Sequence, residues 1–284
     1  MTDRYAVIGN PIQHSKSPEI HAMFARQFGH VMTYVRLLAP LGGFHAKVDA
    51  FRRAGAAGVN VTLPFKVEAF DYATSASARS LAAGAANTLH FLGDEIVADN
   101  TDGAGLVRDI TRNLQHPITS RHILLLGAGG AARGVIGALL AENPASLSIT
   151  NRTIEKASAL LAPLADTTMA PISVVKMEDI GARKFDIVIN ATSASIQNSA
   201  LEIPSGIFAP ASLAYDMMYG MGNTEFMGAA LKQGAAAHDG LGMLVEQAAE
   251  AFYVWRGVRP ETATVIAAMR AEISTEMGKT AKSA

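Results

Sequence analysis

The sequence predicts an α/β protein of two domains, and three observations predict it. First, the apolar run His122-Ile123-Leu124-Leu125-Leu126 has strand length and stops at Gly127-Ala128-Gly129-Gly130-Ala131-Ala132. Second, a long apolar-biased helix follows through Leu140, then a strand over 147–150 that ends on Asn151-Arg152-Thr153. Strand, glycine turn, helix, strand is the first unit of a dinucleotide-binding sheet. Third, short apolar runs alternate with helical patterns on both sides of this unit, and 284 residues suffice for two domains with a substantial core.

Within the glycine turn, Gly127, Gly129 and Ala132 match the spacing G-x-G-x-x-G/A. The first small residue permits the tight turn, the second lets the backbone approach a pyrophosphate, and the third lets helix and strand pack closely. Free N–H groups at the helix start then receive phosphate, which makes Ala128, Gly130 and Ala131 part of the same cradle. At the end of the second strand an NAD-binding unit carries an Asp or Glu for the ribose hydroxyls. Here that place holds Asn151-Arg152-Thr153, with Lys156 one turn on. Each cation alone reads as a solvated surface charge. Together, downstream of the glycine turn and with no acid present, they predict a 2′-phosphate and hence NADP.

Composition excludes several classes. The formal net charge of -1 gives no reason to expect nucleic acid or an anionic membrane. The absence of Cys excludes disulfides and a cysteine nucleophile and fits a cytoplasmic setting. A strand begins by Tyr5 with no basic-plus-apolar leader, so no signal peptide is expected. Residues 123–141 are apolar enough to resemble a membrane span, but Arg133 and the glycine cluster interrupt them. The 8 His show no HExxH or other close ligand spacing, so no metal is expected.

Taken in order, Tyr5-Ala6-Val7-Ile8-Gly9 is a strand broken by Asn10-Pro11. Ser17 reads as an N-cap, with Pro18 in the first helical position and Glu19 in the first turn. Ile20, Met23, Phe24 and Phe28 form the buried face, and Gly29 ends the helix. Ser15, Lys16 and Ser17 place two hydroxyls and a cation at one helix start, which suits a carboxylate. Phe44, Val48 and Phe51 mark a second helix closed by Gly55. Gly58-Val59-Asn60-Val61-Thr62-Leu63-Pro64 is a strand running into a proline stop, and Lys66 opens the next helix. Lys66 reads either as a solvated helix-start lysine or as a cation near a strand's C-terminal end, where open α/β sheets bind ligands.

Residues 85–91 and 95–99 form a hairpin across Gly93-Asp94, and Asn100-Thr101-Asp102-Gly103 leads into a helix over about 104–113. Thr101 or Asp102 can cap that helix. Asn87, Asn100, Thr101 and Asp102 at adjacent strand ends exceed what one cap requires, and a cleft between the domains is the expected ligand site. Further strands lie at 172–175, 185–189, 213–219 and 235–238. The second ends on Asn190-Ala191-Thr192-Ser193, which places Thr192 and Ser193 with the cofactor groups. Met217 and Tyr219 read as core or as ligand contacts. Asp239-Gly240-Leu241-Gly242 begins an apolar helix carrying Leu244, Ala248, Phe252 and Trp255, interrupted by Gln247, which reads either as an exposed residue or, in a cleft, as a partner for a substrate hydroxyl. A final helix with Val265, Ile266, Met269 and Ile273 packs back on the first domain.

Gly9-Asn10-Pro11 with Ser15-Lys16-Ser17-Pro18, Asn60-Val61-Thr62-Leu63-Pro64-Phe65-Lys66, Gly84-Ala85-Ala86-Asn87-Thr88, Asp99-Asn100-Thr101-Asp102-Gly103, the glycine turn, Asn151-Arg152-Thr153, Asn190-Ala191-Thr192-Ser193 and Asp239-Gly240-Leu241-Gly242-Met243-Leu244 follow one another over nearly the whole chain. In that order they resemble the shikimate dehydrogenase family. The resemblance implies a discontinuous substrate domain over 1–103 and 240–284 and a Rossmann-type NADP domain over 104–239. It implies reversible NADPH-dependent reduction of 3-dehydroshikimate to shikimate. Lys66 and Asp102 would form the catalytic pair, with Ser15, Ser17, Asn60, Thr62, Asn87, Asp102, Tyr219 and Gln247 on the substrate. Met217 and Gly240 would join the cofactor groups, in a cytoplasmic monomer or homodimer. Two departures stand in the cofactor domain: Ser195 near a usual Gly, and Thr224-Glu225-Phe226 in place of Thr-Pro-Phe. A quinate/shikimate dehydrogenase and a non-catalytic nucleotide-sensing protein are the alternatives; the second needs no Lys66/Asp102 pair.

Overall fold

A computed structural model describes residues 2–164, 170–181, 183–192, 203–220 and 222–283. The chain forms two compact units. The first comprises Met1–Gly105 with Leu244–Ala271, and the second Leu106–Met243 with Glu272–Ala284.

The first unit is built on a six-stranded sheet of β1 (Asp3–Gly9), β2 (Met32–Leu38), β3 (Ala56–Val61), β4 (Ser75–Ala76), β5 (Thr88–Leu92) and β6 (Glu95–Asp99), in the order β2-β1-β3-β5-β6-β4. The first three strands are parallel, and β5 pairs antiparallel with both β3 and β6. Helices α1 (Ser17–Gln27), α2 (Phe44–Arg53), α3 (Lys66–Tyr72) and α4 (Ala78–Ala83) fill the connections. Ala6, Ile8, Val59, Val61 and Leu89 bury one sheet face against Phe44, Val48 and Phe51 of α2 and Phe65. The opposite face receives Trp255 from α9 (Leu241–Arg256), stacked on Tyr5 at 4.6 Å and donating its Nε1–H to Leu89 O at 3.1 Å. Gly58 makes this possible, because a Cβ there would lie 2.5 Å from Trp255 Nε1. With both faces covered, β1 is buried along nearly its whole length, as parallel strands are.

Strand β2 is absent from the sequence reading. It is one of the sheet's two edges, and Thr33, Val35, Arg36 and Leu38 are exposed, so its residues lack the clean alternation that a half-buried strand displays.

The second unit holds β7 (His122–Leu126), β8 (Ser146–Thr150), β9 (Ile172–Val174), β10 (Phe185–Asn190), β11 (Phe208–Asp216) and β12 (Ala236–Asp239), all parallel, in the order β12-β11-β10-β7-β8-β9. This is the doubly wound 3-2-1-4-5-6 order, with its switch point between β7 and β10. Alternate residues go to opposite faces. Ile123, Leu125, Ile187 and Ile189 pack with α6 (Gly130–Ala141) and α7 (Ile154–Leu161), while Leu124, Leu126 and Val188 pack with α8 (Glu225–Lys232). The membrane-like stretch is therefore β7, a turn and α6, and no helix of the described residues is long and apolar enough to cross a membrane.

Helix α5 (Asp102–Arg108) continues into a π-helical turn over Asp109–Asn113, and α10 (Ala263–Ser283) closes the chain. Within the second unit the buried Asp109 accepts from Tyr215 Oη at 2.6 Å, and Tyr215 Oη accepts from the Met243 N–H at 3.2 Å. Gly242 belongs to this junction, since any Cβ would fall 1.9 Å from Asp109 Oδ1.

Candidate active site

In the first unit most of the anticipated polar residues meet in one hydrogen-bonded cluster. Lys66, the first residue of α3, donates from Nζ to Asp102 Oδ2 at 2.5 Å. Its side chain is 15% exposed and that of Asp102 is 7% exposed, so the ion pair is shielded yet keeps two ammonium hydrogens for a ligand. Asp102 opens α5 without its carboxylate serving as the cap: Asn100 Oδ1 takes the Asp102 N–H at 3.2 Å. That frees both carboxylate oxygens, one for Lys66 and one for Asn87 Nδ2 at 2.8 Å.

Asn87 is the hub. Its amide also donates to Thr101 Oγ1 at 2.8 Å and Gln247 Oε1 at 3.1 Å, while its Oδ1 accepts from Thr88 Oγ1 and the Thr101 N–H, both at 2.9 Å. Two amide hydrogens thus serve three acceptors. Gln247 holds Nε2 on Leu244 O at 2.7 Å, keeping one N–H unspent. Helix α9 comes this close because Gly105 has no side chain; a Cβ there would meet both Cβ and N of Gln247 at 2.7 Å.

Asn60 is tied into the same cluster through Nδ2, to Asn87 O at 3.2 Å and Thr88 Oγ1 at 3.0 Å, and through Oδ1, which accepts from Tyr34 Oη at 2.7 Å. Both of its amide hydrogens are spent, so what it offers a ligand is the remaining lone pair on Oδ1. The Thr62 hydroxyl has no partner among the described residues. Its methyl would lie 2.5 Å from a Cβ on Gly9, which accounts for that glycine.

Ser15 and Ser17 lie together as expected, Ser15 Oγ donating to Ser17 Oγ at 3.2 Å. The capping assignment changes. Ser17 is the first helical residue, and Ser15 Oγ receives the Ser17 N–H at 3.3 Å. Pro18 lacks an N–H, so the hydroxyl two residues upstream is the group that reaches the first free donor. Arg36 reinforces the turn by donating to Ser15 O at 2.8 Å and bonding Glu19.

Tyr34 lies on β2, and His21 lies on α1, where the sequence analysis singled out only its apolar neighbours. Their rings stack at 4.3 Å, 11° from parallel. Burial holds the His21 imidazole down at about 3 against a smaller opposing contribution from Asn60, and neither ring nitrogen has a hydrogen-bond partner among the described residues, so this histidine is neutral. Burial likewise drives the Tyr34 phenol well above its ordinary range, leaving it a donor to Asn60. A strand whose alternation is broken by Thr and Arg carries no signal that its one Tyr points inward.

The second unit arranges the glycine turn over its switch point. Gly127 has φ +108°, and a Cβ would press on Thr192 Cγ2 at 3.1 Å and Ala191 at 3.2 Å. Around Gly129 and Gly130 there is open space, and α6 begins with no side-chain cap. The first N–H groups of an α-helix have no partner within the helix, the property by which helix starts can hold an anion. Ala132 is fully buried against the sheet. Asn190 accepts at Oδ1 from Thr192 Oγ1 at 2.7 Å and from its N–H at 3.1 Å, and donates to Asp216 Oδ1 at 3.2 Å, tying the exits of β10 and β11 together. Met217 packs partly on the core beside them, and Gly240 passes so near that a Cβ would lie 2.4 Å from Met217 O. Tyr219 is half-buried just beyond.

Asn151 turns the chain into α7 by donating to Thr153 O at 2.7 Å. Arg152, Thr153 and Lys156 are exposed, and among the described residues neither cation has an acidic partner. Of the two departures, Glu225 is the exposed first residue of α8, favourable to the helix dipole, while Thr224 still caps by accepting from the Met227 N–H and donates to Asp216 at 2.6 Å. Ser193 and Ser195 lie outside the described residues.

Comparison with known proteins gives these two clusters a family. Residues 7–89 match the shikimate dehydrogenase substrate binding domain, 109–201 the shikimate/quinate 5-dehydrogenase model and 240–270 the shikimate 5'-dehydrogenase C-terminal domain. The shikimate dehydrogenase (NADP(+)) of Aromatoleum aromaticum is 57% identical over 275 residues, covering 95% of this chain and 98% of that one.

The chain belongs to the shikimate dehydrogenase family.

The shikimate dehydrogenase (NADP(+)) of Dechloromonas aromatica is also 57% identical, over 96% of this chain and 99% of its own. Among solved structures, an Ael1 enzyme from Pseudomonas putida superposes with a TM-score of 0.87 at 46% identity, covering 93% of this chain and 97% of that one. The Thermus thermophilus shikimate 5-dehydrogenase, solved with NADP(H) and shikimate, gives 0.85 at 31% identity over 95% and 99%. Shikimate dehydrogenases thus share the fold with this chain over nearly the whole of both sequences.

Proposed function

We propose that the chain catalyses the reversible NADPH-dependent reduction of 3-dehydroshikimate to shikimate. The observation that carries this reading is the shielded Lys66–Asp102 pair, joined through Asn87 to Gln247. Reduction of a ketone needs a proton donor at the oxygen as hydride reaches the carbon. The Lys66 ammonium, held by Asp102, supplies both the proton and a positive charge for the developing alkoxide. In the reverse direction Lys66 takes up the hydroxyl proton and Asp102 holds it in place.

The substrate's hydroxyls replace bonds the cluster now makes within itself. Asn87 gives up its longest, the 3.1 Å contact with Gln247, so that both amides turn to a ligand. Ser15 and Ser17 offer their hydroxyls to the carboxylate, with Thr62 and the free lone pair of Asn60 beside them. Tyr219 completes the substrate groups.

The open space at Gly129 and Gly130, the uncapped start of α6 and the exposed Arg152 and Lys156, without acidic partners among the described residues, fit an NADP molecule. Gly127, Ala128, Gly129, Gly130 and Ala131 would hold the pyrophosphate. Asn151, Arg152, Thr153 and Lys156 would hold the 2′-phosphate, and Thr192, Met217 and Gly240 the remainder. The cofactor supplies hydride; the residues above bind and orient it. The same reading places the enzyme in the cytoplasm, as a monomer or homodimer.

Turnover of shikimate with NADP, followed by the absorbance of the reduced cofactor, tests the proposal. No turnover would refute it, and comparable turnover of quinate or use of NAD would move the chain to the broader quinate/shikimate activity.

A further inference from the structure

We propose that Arg79 is a positioning residue that sets the two arms of the substrate cluster against each other; this rests on the function proposed above. Arg79 touches none of the candidate substrate or catalytic groups. From α4 it grips Asp99 with two parallel bonds, Nε to Oδ1 at 2.6 Å and Nη2 to Oδ2 at 2.7 Å, and spends Nη1 on Glu250 Oε1 at 2.8 Å. Asp99 is the last residue of β6, and Glu250 lies on α9 one turn beyond Gln247. One guanidinium therefore joins the strand end that leads to Asp102 with the helix that carries Gln247.

The path to Asp102 is continuous. Asp99 Oδ1 accepts from the Asn100 N–H at 2.7 Å, and Asn100 Oδ1 accepts from the Asp102 N–H at 3.2 Å. Asn100 Nδ2 is fixed on Ala85 O at 3.0 Å, and Ser77 Oγ donates to Asp99 Oδ1 at 2.6 Å. On the other arm, Glu250 is held by Arg79 and by Arg259, while Gln247 meets Asn87. The two arms close on the Asn87 amide, which bonds both Asp102 and Gln247. A surface ion pair would need none of this convergence. Arg79 is partly shielded, its two acids are nearly covered, and its planar fork matches Asp99 in a way an ammonium does not.

Four variants test the proposal by shikimate oxidation kinetics and thermal melting. R79K keeps the charge but loses the planar fork that pairs with both oxygens of Asp99 while reaching Glu250. It should lower kcat/KM for shikimate by roughly 10- to 100-fold, the scale of a displaced reacting group, with KM for NADP unchanged. E250A cuts only the α9 arm and should raise KM for shikimate, with E250Q, which retains an acceptor, partly restoring it. R259A removes the other cation on Glu250 without touching Asp99, and should lower Tm while leaving KM for shikimate as in the wild type. If R79K does not fold, E250A against E250Q and R259A carries the test. An active wild type whose R79K and E250A variants keep wild-type shikimate kinetics overturns this inference alone, as does R259A reproducing the kinetic loss of E250A. A wild type that fails to oxidise shikimate overturns the proposed function and this inference with it.

Discussion

Lys66 and Asp102 begin two different helices, 36 positions apart, and meet at 2.5 Å in an ion pair shielded from bulk water. Neither residue is needed by its helix as a cap, since Asn100 serves the Asp102 N–H. Lys66→Ala should therefore lower kcat by roughly 10²–10⁴-fold, the range for lost acid–base help. Shikimate binding, measured by calorimetry, should change much less. Wild-type kcat would return Lys66 to the status of a partly buried structural cation.

The serine turn makes a second prediction. Replacing Ser15 and Ser17 by Ala should raise KM for shikimate, since a hydrogen bond to a charged group contributes about 1.5–3 kcal/mol. Ser15 should also cost some stability, because its hydroxyl takes the Ser17 N–H. An unchanged KM in the double variant would remove both serines from the carboxylate.

In the proposed function, cofactor choice rests on Arg152. Exposed and without an acidic partner among the described residues, it is free to grip a phosphate through two parallel bonds. Arg152→Ala should raise KM for NADP by roughly tenfold and leave KM for NAD almost unchanged. The loss should shrink at high salt, where screening already weakens an exposed contact. Equal use of NAD and NADP by the wild type would defeat the assignment.

Acid stability should follow His21. Burial holds its folded-state value at about 3, against about 6.5 in an unfolded chain. The unfolded state therefore binds more protons below pH 6.5. The stabilisation is complete above that pH and is lost as pH falls from 6.5 toward 3, with a slope approaching about 1.4 kcal/mol per pH unit. Urea unfolding from pH 7 to pH 4 should show this slope reduced in His21→Leu. Parallel curves for the two proteins would assign the acid lability elsewhere.

Packing at Gly105 predicts a coupled loss. Gly105→Ala forces a methyl against the Gln247 backbone at 2.7 Å, which cannot yield without moving α9. Overpacking of this kind costs about 1–3 kcal/mol. Chemical denaturation should show that loss, and KM for shikimate should rise with it. A variant of wild-type stability would mean that α9 shifts freely.

The β7–α6–β8 unit, the β5/β6 hairpin and the ends of α2 at Gly55 and α1 at Gly29 were legible in the sequence because each depends on neighbours in the chain. Period-2 and period-3.6 patterns, a proline stop and glycines with positive φ act within a few residues, so the side chains themselves determine them. Most of the motif residues stood out for the same reason, being tied to a strand end or helix start, while Gln247 lies within α9 and the roles of all of them came from the family resemblance. What joins them was decided only by the tertiary structure. Tyr34 reaches Asn60 across 26 positions, Asn87 reaches Gln247 across 160, and Arg79 reaches Glu250 across 171. The edge strand β2 had no pattern to reveal it, and the serine that receives the first helical N–H depends on a turn geometry that spacing does not encode. Burial, finally, belongs to the assembled fold: it leaves His21 neutral and shields Lys66 and Asp102, because desolvation depends on which distant side chains close over a group.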